Sequence, residues 1–478
     1  MRKLMLLSLL LPLVYGDFIQ KYYLPKGLTE YYGQICVADV DRDNNYEFIF
    51  RSCLYGITDA LFICKLHHSG QWQIDSLITR TWFLVWEVGD FDRDGLFDIL
   101  VRGAIPTQYA LIGILESPDS FSYPTEEVWR DTIGGCSDNP NSVFDIDNDG
   151  IIEIFNNEDE LYCFSIRKSI GNNQYATVYE TNLDTFPGDS PYSTHACGYF
   201  DWDGKNEFVM SGSSGFYWVY EYDPDSGYHQ VLCDYIPTGN ERDCITIPSG
   251  FNDRPYFMIK GTNYATGRIQ AFIFKAVADN TYQVIKTFEF PYIYGECYHG
   301  FSSAGDLDGD SVPEIALEAL PWVYIIKQVG NDSFYVWDRV AGAVTGSSTR
   351  ILDVDHNGLN DLVVSGNNET RIYEYSPGGV GEKNTALPVP VKMHLSAQPN
   401  PFSKSVRISF GSTVIGPIRL TVYDLTGRLV KTLKTIEQYA VWLGDDESGE
   451  KLPAGIYFIR AENTITGVPE LLQVLKVE

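Results

Sequence analysis

Six times along the chain an apolar run ends in a short stretch of alternating carboxylates and resumes as another apolar run, about 50 residues apart. The stretches open at Asp39, Asp90, Asp145, Tyr199, Asp306 and Asp353, and each reads D-x-D-x-[DN]-G-x-x-[DE] with departures at single positions. Successive openings lie 51, 55, 54, 107 and 47 residues apart, so one interval is twice the others. At its centre, Gly250-Phe251-Asn252-Asp253-Arg254-Pro255-Tyr256-Phe257-Met258 keeps the proline and the strand that follows but has lost the acids. That makes a seventh repeat with a dead loop. A period near 50 residues suits four short strands and their turns, which is a propeller blade, and is too long for a solenoid coil. Turn signals recur every 8 to 12 residues and helical periodicity is almost absent. The expected fold class is all-β, a seven-bladed β-propeller followed by a C-terminal β-sandwich.

The acids at loop positions 1, 3, 5 and 9 repel one another unless a cation sits between them. Calcium takes six to eight oxygen ligands, which carboxylates, a backbone carbonyl and water supply. The candidate ligands are Asp39, Asp41, Asp43 and Glu47; Asp90, Asp92, Asp94 and Asp98; Asp145, Asp147, Asp149 and Glu153; Asp201, Asp203 and Glu207; Asp306, Asp308, Asp310 and Glu314; and Asp353, Asp355, Asn357 and Asp361. An EF-hand closes on a glutamate at position 12 between helices. Here the last acid comes at position 9 and runs straight into strand-like residues such as Ile99-Leu100-Val101. Five strong calcium sites are expected, with the fourth loop weak because Tyr199 replaces its first acid.

Two further segments bear on the ring. The last repeat stops one strand short at Pro377-Gly378-Gly379, and Phe18 to Tyr23 is an orphan strand ahead of the first loop. The N-terminal strand is therefore expected to complete the last blade, leaving no open edge. Residues 1–16, with Arg2 and Lys3 before the apolar run Leu4 to Val14, read as a cleaved signal peptide. No transmembrane helix is expected in the mature chain.

The net charge is −29, and the six loops hold 22 carboxylates. Nucleic acid is excluded as a partner, since it requires a basic face. Nine cysteines in an oxidising compartment leave at least one without an intrachain partner, and Cys233 with Cys244 is the first pair to test.

These loops resemble the FG-GAP/VCBS repeats of integrin-α-like seven-bladed propellers, a resemblance that covers residues 17–376. It implies that the carbonyls of Asn45, Leu96, Ile151, Lys205, Val312 and Leu359, at position 7, join the calcium ligands. After a Gly/Pro-rich linker at 377–393, residues 394–478 change composition. Gln398-Pro399-Asn400-Pro401-Phe402, a hairpin through Thr426-Gly427, and Gly455-Ile456-Tyr457-Phe458 follow in order. This order resembles the Ig-like C-terminal sorting domain of type IX secretion substrates. The resemblance implies a partner in the secretion machinery and a secreted or outer cell-surface location.

No G-x-S-x-G, H-E-x-x-H or P-loop is present, and the loop acids are already assigned to metal. His195 and His299 each precede a loop, where a hydrogen-bonded structural role is expected. Trp82, Trp86, Trp202, Trp218, Trp322 and Trp337 either stack on sugars or pack between blades. Two functions are expected from the resemblance: a calcium-bearing, non-enzymatic propeller binding an extracellular protein or glycan, or a polysaccharide lyase or other glycan-processing enzyme on the same scaffold.

Overall fold

The computed structural model describes residues 17–24, 35–52, 60–67, 72–78, 83–104, 109–134, 141–158, 163–181, 189, 191–239, 243–251, 254–291, 300–342, 348–366, 369–377, 395–409, 418–425, 428–435, 439–463 and 469–477. The expected signal peptide, His299, Trp82 and nearly all of the expected linker lie outside them. The described residues are strands and turns, divided between two compact units.

The first unit contains seven four-stranded antiparallel sheets. In chain order they span 36–78, 83–134, 141–180, 196–235, 243–291, 303–341 and 348–376, the last including an N-terminal strand. The fourth sheet is typical, with strands Ala196–Gly198, Glu207–Ser211, Phe216–Asp223 and Gly227–Tyr235 meandering in sequence order. Its second strand is buried throughout and its fourth is largely exposed. The fourth sheet therefore goes from buried to solvated along the chain, as a sheet with one protected and one solvated edge should. The fifth sheet forms without an acidic loop, through strands Asp243–Ile247 and Tyr256–Asn263.

Neighbouring sheets share their cores. Phe155 and Phe164 of the third sheet pack with Phe208, Trp218 and Tyr220 of the fourth, and Met258 and Ile273 of the fifth with Ile315 and Leu317 of the sixth. The seventh returns to the first, where Val363 and Ile372 share a cluster with Phe48, Phe50 and Phe62. Strand Asp17–Leu24 pairs antiparallel with Thr370–Ser376, supplying the fourth strand the last repeat lacks. The architecture is thus propeller-like: a series of sheets stacked face to face whose last member packs on its first.

The second unit holds a three-stranded sheet and a four-stranded sheet around one core. Trp442, fully buried, is its centre. Phe402 and Tyr457 pack on its indole with centroids at 5.4 and 5.2 Å, so the aromatic residues of the two sequence motifs meet there. Asn400 fixes the approach of the first motif by accepting the Leu475 N–H at 2.9 Å.

One expectation fails. Cys233 is an exposed free thiol on the outer strand of the fourth sheet, and Cys244 a buried one on the first strand of the fifth. They stand on opposite edges of adjacent sheets, so a bridge between them is not formed.

Candidate functional site

Every acidic loop joins the first strand of its sheet to the second, and all six are built alike. The ninth residue, Glu47, Asp98, Glu153, Glu207, Glu314 or Asp361, is almost fully buried. One of its oxygens accepts the backbone N–H of loop residue 2, at 2.7 to 3.1 Å. Residue 2 in turn, Val40, Phe91, Ile146, Phe200, Leu307 or Val354, is buried in the core between sheets. The loop is thus pinned at both ends by the packing that holds the sheets together. Position 6 takes a left-handed conformation, φ 84° to 93° at Gly95, Gly150, Gly204 and Gly358. Asn44 and Ser311 adopt it too, at φ 69°, so the departures from glycine keep the turn at some cost in strain.

Burial pushes the ninth acid up, to about 7 for Glu47, Glu153, Glu314 and Asp361, about 8 for Asp98 and about 9 for Glu207. These carboxyls need either a proton or a cation. Clusters able to hold a metal ion include Asp39-Asp41-Asp43, Asp90-Asp92-Asp94, Asp145-Asp147-Glu153, Asp201-Asp203-Asp279 and Asp306-Asp308-Glu314.

What faces the ninth acid divides the loops in two. Its partner on the third strand is Lys65 in the first loop, Lys168 in the third and Lys327 in the fifth. Each ammonium reaches the acids at positions 3, 5 and 9. Lys65 lies 2.8, 2.7 and 3.2 Å from Asp41, Asp43 and Glu47, and Lys168 lies 2.6, 3.0 and 2.5 Å from Asp147, Asp149 and Glu153. Lys327 meets Asp308, Asp310 at 2.9 Å and Glu314 at 3.0 Å. Burial works against these charges, but the carboxylate bonds outweigh it and hold all three lysines above their ordinary value. A divalent cation could take the same oxygens only by displacing the ammonium.

In the second, fourth and sixth loops the partner is an acid, Glu116, Glu221 or Glu374. Around the second loop, Asp90, Asp92, Asp94, Asp98 and Glu116 converge, and among the described residues no cationic side chain pairs with any of them. Asp98 Oδ1 and Glu116 Oε2 are buried without a hydrogen-bond partner. At the fourth loop the side chain of Lys205 acts as well as its carbonyl: its ammonium pairs with Glu221 at 2.5 Å, Asp223 at 3.1 Å and the loop's own Asp203 at 3.4 Å. Tyr199, where the first acid is missing, carries the Arg254 guanidinium 4.0 Å above its ring. At the sixth, Lys21 of the N-terminal strand bridges Asp355 and Glu374 at 2.7 and 2.8 Å and leaves Asp361 Oδ1 unpartnered.

Side chains also link loop to loop. Arg42 donates to the Gly95 carbonyl at 2.6 Å, Arg93 to that of Asp149 at 3.1 Å, and Asn360 to that of Asp306 at 2.8 Å. Tyr46 of the first loop stacks on His356 of the last at 5.0 Å. The loops form one belt.

The remaining sequence candidates separate by burial. His195 is fully buried beside Phe155 and Phe164, its Nδ1 3.1 Å from Ser142 Oγ, and burial lowers it to about 3. Trp86 and Trp218 are core residues. Trp202 is half exposed, with Arg254 5.2 Å over its ring, at a cleft of about 140 Å³ lined also by Phe200, Pro255, Tyr256 and Lys275. Only the packing of the fifth sheet on the fourth places Arg254 there.

The geometry defines an all-β, propeller-like protein with a belt of acidic loops able to hold metal ions. Residues 396–469 match the secretion system C-terminal sorting domain family, so the chain ends in a type IX sorting domain and is an exported protein, secreted or attached at the cell surface. No curated protein matches the sequence. Among solved structures, a protein from Lactobacillus plantarum is 11% identical over 82% of this chain and 97% of its own, with a TM-score of 0.48. The periplasmic gluconolactonase of Pseudomonas aeruginosa is 12% identical over 54% of this chain and 70% of its own, with a TM-score of 0.37. Among the described residues no helix is long and apolar enough to cross a membrane.

Proposed function

We propose that the chain is an exported calcium-binding protein of the FG-GAP/VCBS class, a seven-bladed β-propeller at 17–376 joined by a linker at 377–393 to an Ig-like sorting domain at 394–478, and that it binds a protein or glycan outside the cell. The observation that carries the calcium reading is the acid set of the second loop, which no cationic side chain among the described residues pairs with and whose buried Asp98 Oδ1 and Glu116 Oε2 have no hydrogen-bond partner. Carboxylate, carbonyl and water oxygens suit calcium, and extracellular modules bind it at ~10⁻⁴ to 10⁻³ M. Calcium is a structural cofactor in this reading, screening the loop belt while the chain is outside the cell.

The ligand reading rests on Trp202 and Arg254. A half-exposed indole beside a guanidinium, with Lys275 at the cleft held by Asp332 at 2.8 Å, offers a stacking face next to the Arg254 charge on an otherwise acidic protein. That combination suits a carboxylate-bearing glycan or an acidic protein segment.

A glycan and surface-protein array, probed with the purified chain in calcium and in chelator, tests the reading. Calcium-dependent binding that Trp202→Ala lowers by tenfold or more is expected. Shortening of a bound glycan would instead make the protein a glycan-processing enzyme, and binding indifferent to both calcium and Trp202→Ala would refute the proposal.

A further inference from the structure

Among the described residues, the second and fourth loops share a feature that the other loops do not show. A hairpin of the following sheet folds back over each of them, and both hairpins carry an asparagine and, two residues on, a tyrosine: Asn173-Gln174-Tyr175 and Asn280-Thr281-Tyr282. At the second loop the Asn173 N–H donates to Asp92 Oδ2 at 2.6 Å and its amide nitrogen to Glu116 Oε1 at 3.2 Å. At the fourth the Asn280 N–H donates to Asp201 Oδ2 at 2.8 Å and its amide to Glu221 Oε2 at 3.2 Å. Both asparagines sit at φ of 57° and 50°, held in the left-handed region so that the N–H points into the loop.

Polar atoms are left over at both places. The amide oxygens of Asn173 and Asn280 and the hydroxyls of Tyr175 and Tyr282 are buried with no hydrogen-bond partner, as are Asp98 Oδ1 and Glu207 Oε1 of the loops themselves. Asp98 and Glu207 are 1% and 0% exposed. A buried unpartnered oxygen costs about 1–3 kcal/mol, and here four of them, Glu116 Oε2 included, gather at the second loop and three at the fourth, supplied by two different sheets. A divalent cation satisfies several at once; a proton satisfies one.

The lysine loops provide the contrast. Their acids are neutralised from within, and aromatic rings cover the ammonium, as Tyr123 of the next sheet does 5.6 Å from Lys65 and Trp337 does 4.7 Å from Lys327. At Lys65 and Lys327, then, an aromatic ring covers the cross-strand ammonium. Where the cross-strand residue is glutamate, the second and fourth loops receive an asparagine.

Building on the calcium reading, we propose that divalent cations are taken up as clasps between sheets: one joining the second sheet to the third through Asp90, Asp92, Asp98, Glu116 and Asn173, its counterpart joining the fourth to the fifth through Asp201, Glu207 and Asn280, with Glu221 held by Lys205, while Lys65, Lys168 and Lys327 stand permanently in the metal's place in the other three acid-rich loops. The clasp extends the ligand set beyond the nine-residue loop to the paired strand and to the neighbouring sheet. Metal binding then ties the ring together at two seams instead of decorating six separate turns.

The test is calcium titration of the full chain after exhaustive chelation, counting bound ions by equilibrium dialysis and reading each site by tyrosine-sensitised terbium luminescence. No more than three ions per chain are expected. Asn173→Ala and Glu116→Gln should each weaken one site by about tenfold or more, as loss of a supporting ligand does, and Asn173→Asp, which restores an oxygen, should keep it. Far-UV circular dichroism in chelator, expected to be unchanged in Asn173→Ala, separates a lost ligand from a lost fold. Five or six ions per chain, or an Asn173→Ala variant with every site intact, overturns the clasp and leaves calcium binding standing. A chain that takes up no calcium overturns the calcium reading, and the clasp with it.

Discussion

Replacing Lys168 by methionine should convert the third loop from a salt-bridged loop to a metal-dependent one. Its ammonium lies within 3.0 Å of Asp147, Asp149 and Glu153, and its side chain is 11% exposed. Methionine keeps the stem packing and removes the charge, leaving Glu153, with no exposed surface, without a counter-ion. Removing one partner of a buried pair costs about 3–5 kcal/mol, and because Asp149 is half exposed and Glu153 can take up a proton near neutral pH, about 2–3 kcal/mol is expected at pH 7.5 in chelator. Calcium should reverse the loss. A site of ~10⁻⁴ M held in 10 mM calcium contributes about 2.7 kcal/mol, which matches the deficit. Urea unfolding followed by tryptophan fluorescence suits the assay, since Trp218 is buried in the core shared by the third and fourth sheets. The variant should also bind one calcium ion more than the parent. Equal destabilisation in chelator and in calcium, with no additional ion, would refute the idea that the lysine occupies a metal's position.

Two other perturbations probe the ring. In calcium, stability should fall as pH drops below 6.5, because His195 is held neutral in the fold at about 3 while the unfolded chain protonates it at its ordinary value. The sign follows from proton uptake by the unfolded state, and about 1.5 kcal/mol should be lost from this residue between pH 6.5 and 5. His195→Phe should flatten that part of the profile, and an unchanged slope would assign the acid sensitivity to other groups. Deleting 17–24 should destabilise the whole first unit and cause aggregation, since it strips the last sheet of its edge strand and of Lys21, which bridges Asp355 and Glu374. A monomeric deletion variant with an unchanged melting curve would show that the strand is dispensable.

The period, the strand count of each repeat and the need for a borrowed strand were legible in the chain because they depend on local order: apolar alternation, turn residues and the spacing of the acids. The dead fifth repeat was readable for the same reason, since the strand at Tyr256 survives without its loop. The sorting domain could be read from Pro-Asn-Pro-Phe and Gly-Ile-Tyr-Phe, of which Phe402 and Tyr457 pack around Trp442. The loop acids also announced that cations were wanted.

Which cation each loop wants was not legible. The deciding residue faces the ninth acid across a strand pair, 18 residues on at Lys65 and Glu116 but 13 on at Lys327 and Glu374. That offset varies with the length of the intervening turn, so no fixed spacing reveals it. Asn173 and Arg254 lie further still from what they touch, 81 residues from Asp92 and 55 from Tyr199. Local sequence determined the turns and the charge they carry, because a loop's shape depends on its own backbone. Only the pairing of strands and the stacking of one sheet on the next decided which charge is answered by an ammonium, which by an asparagine and which by a guanidinium.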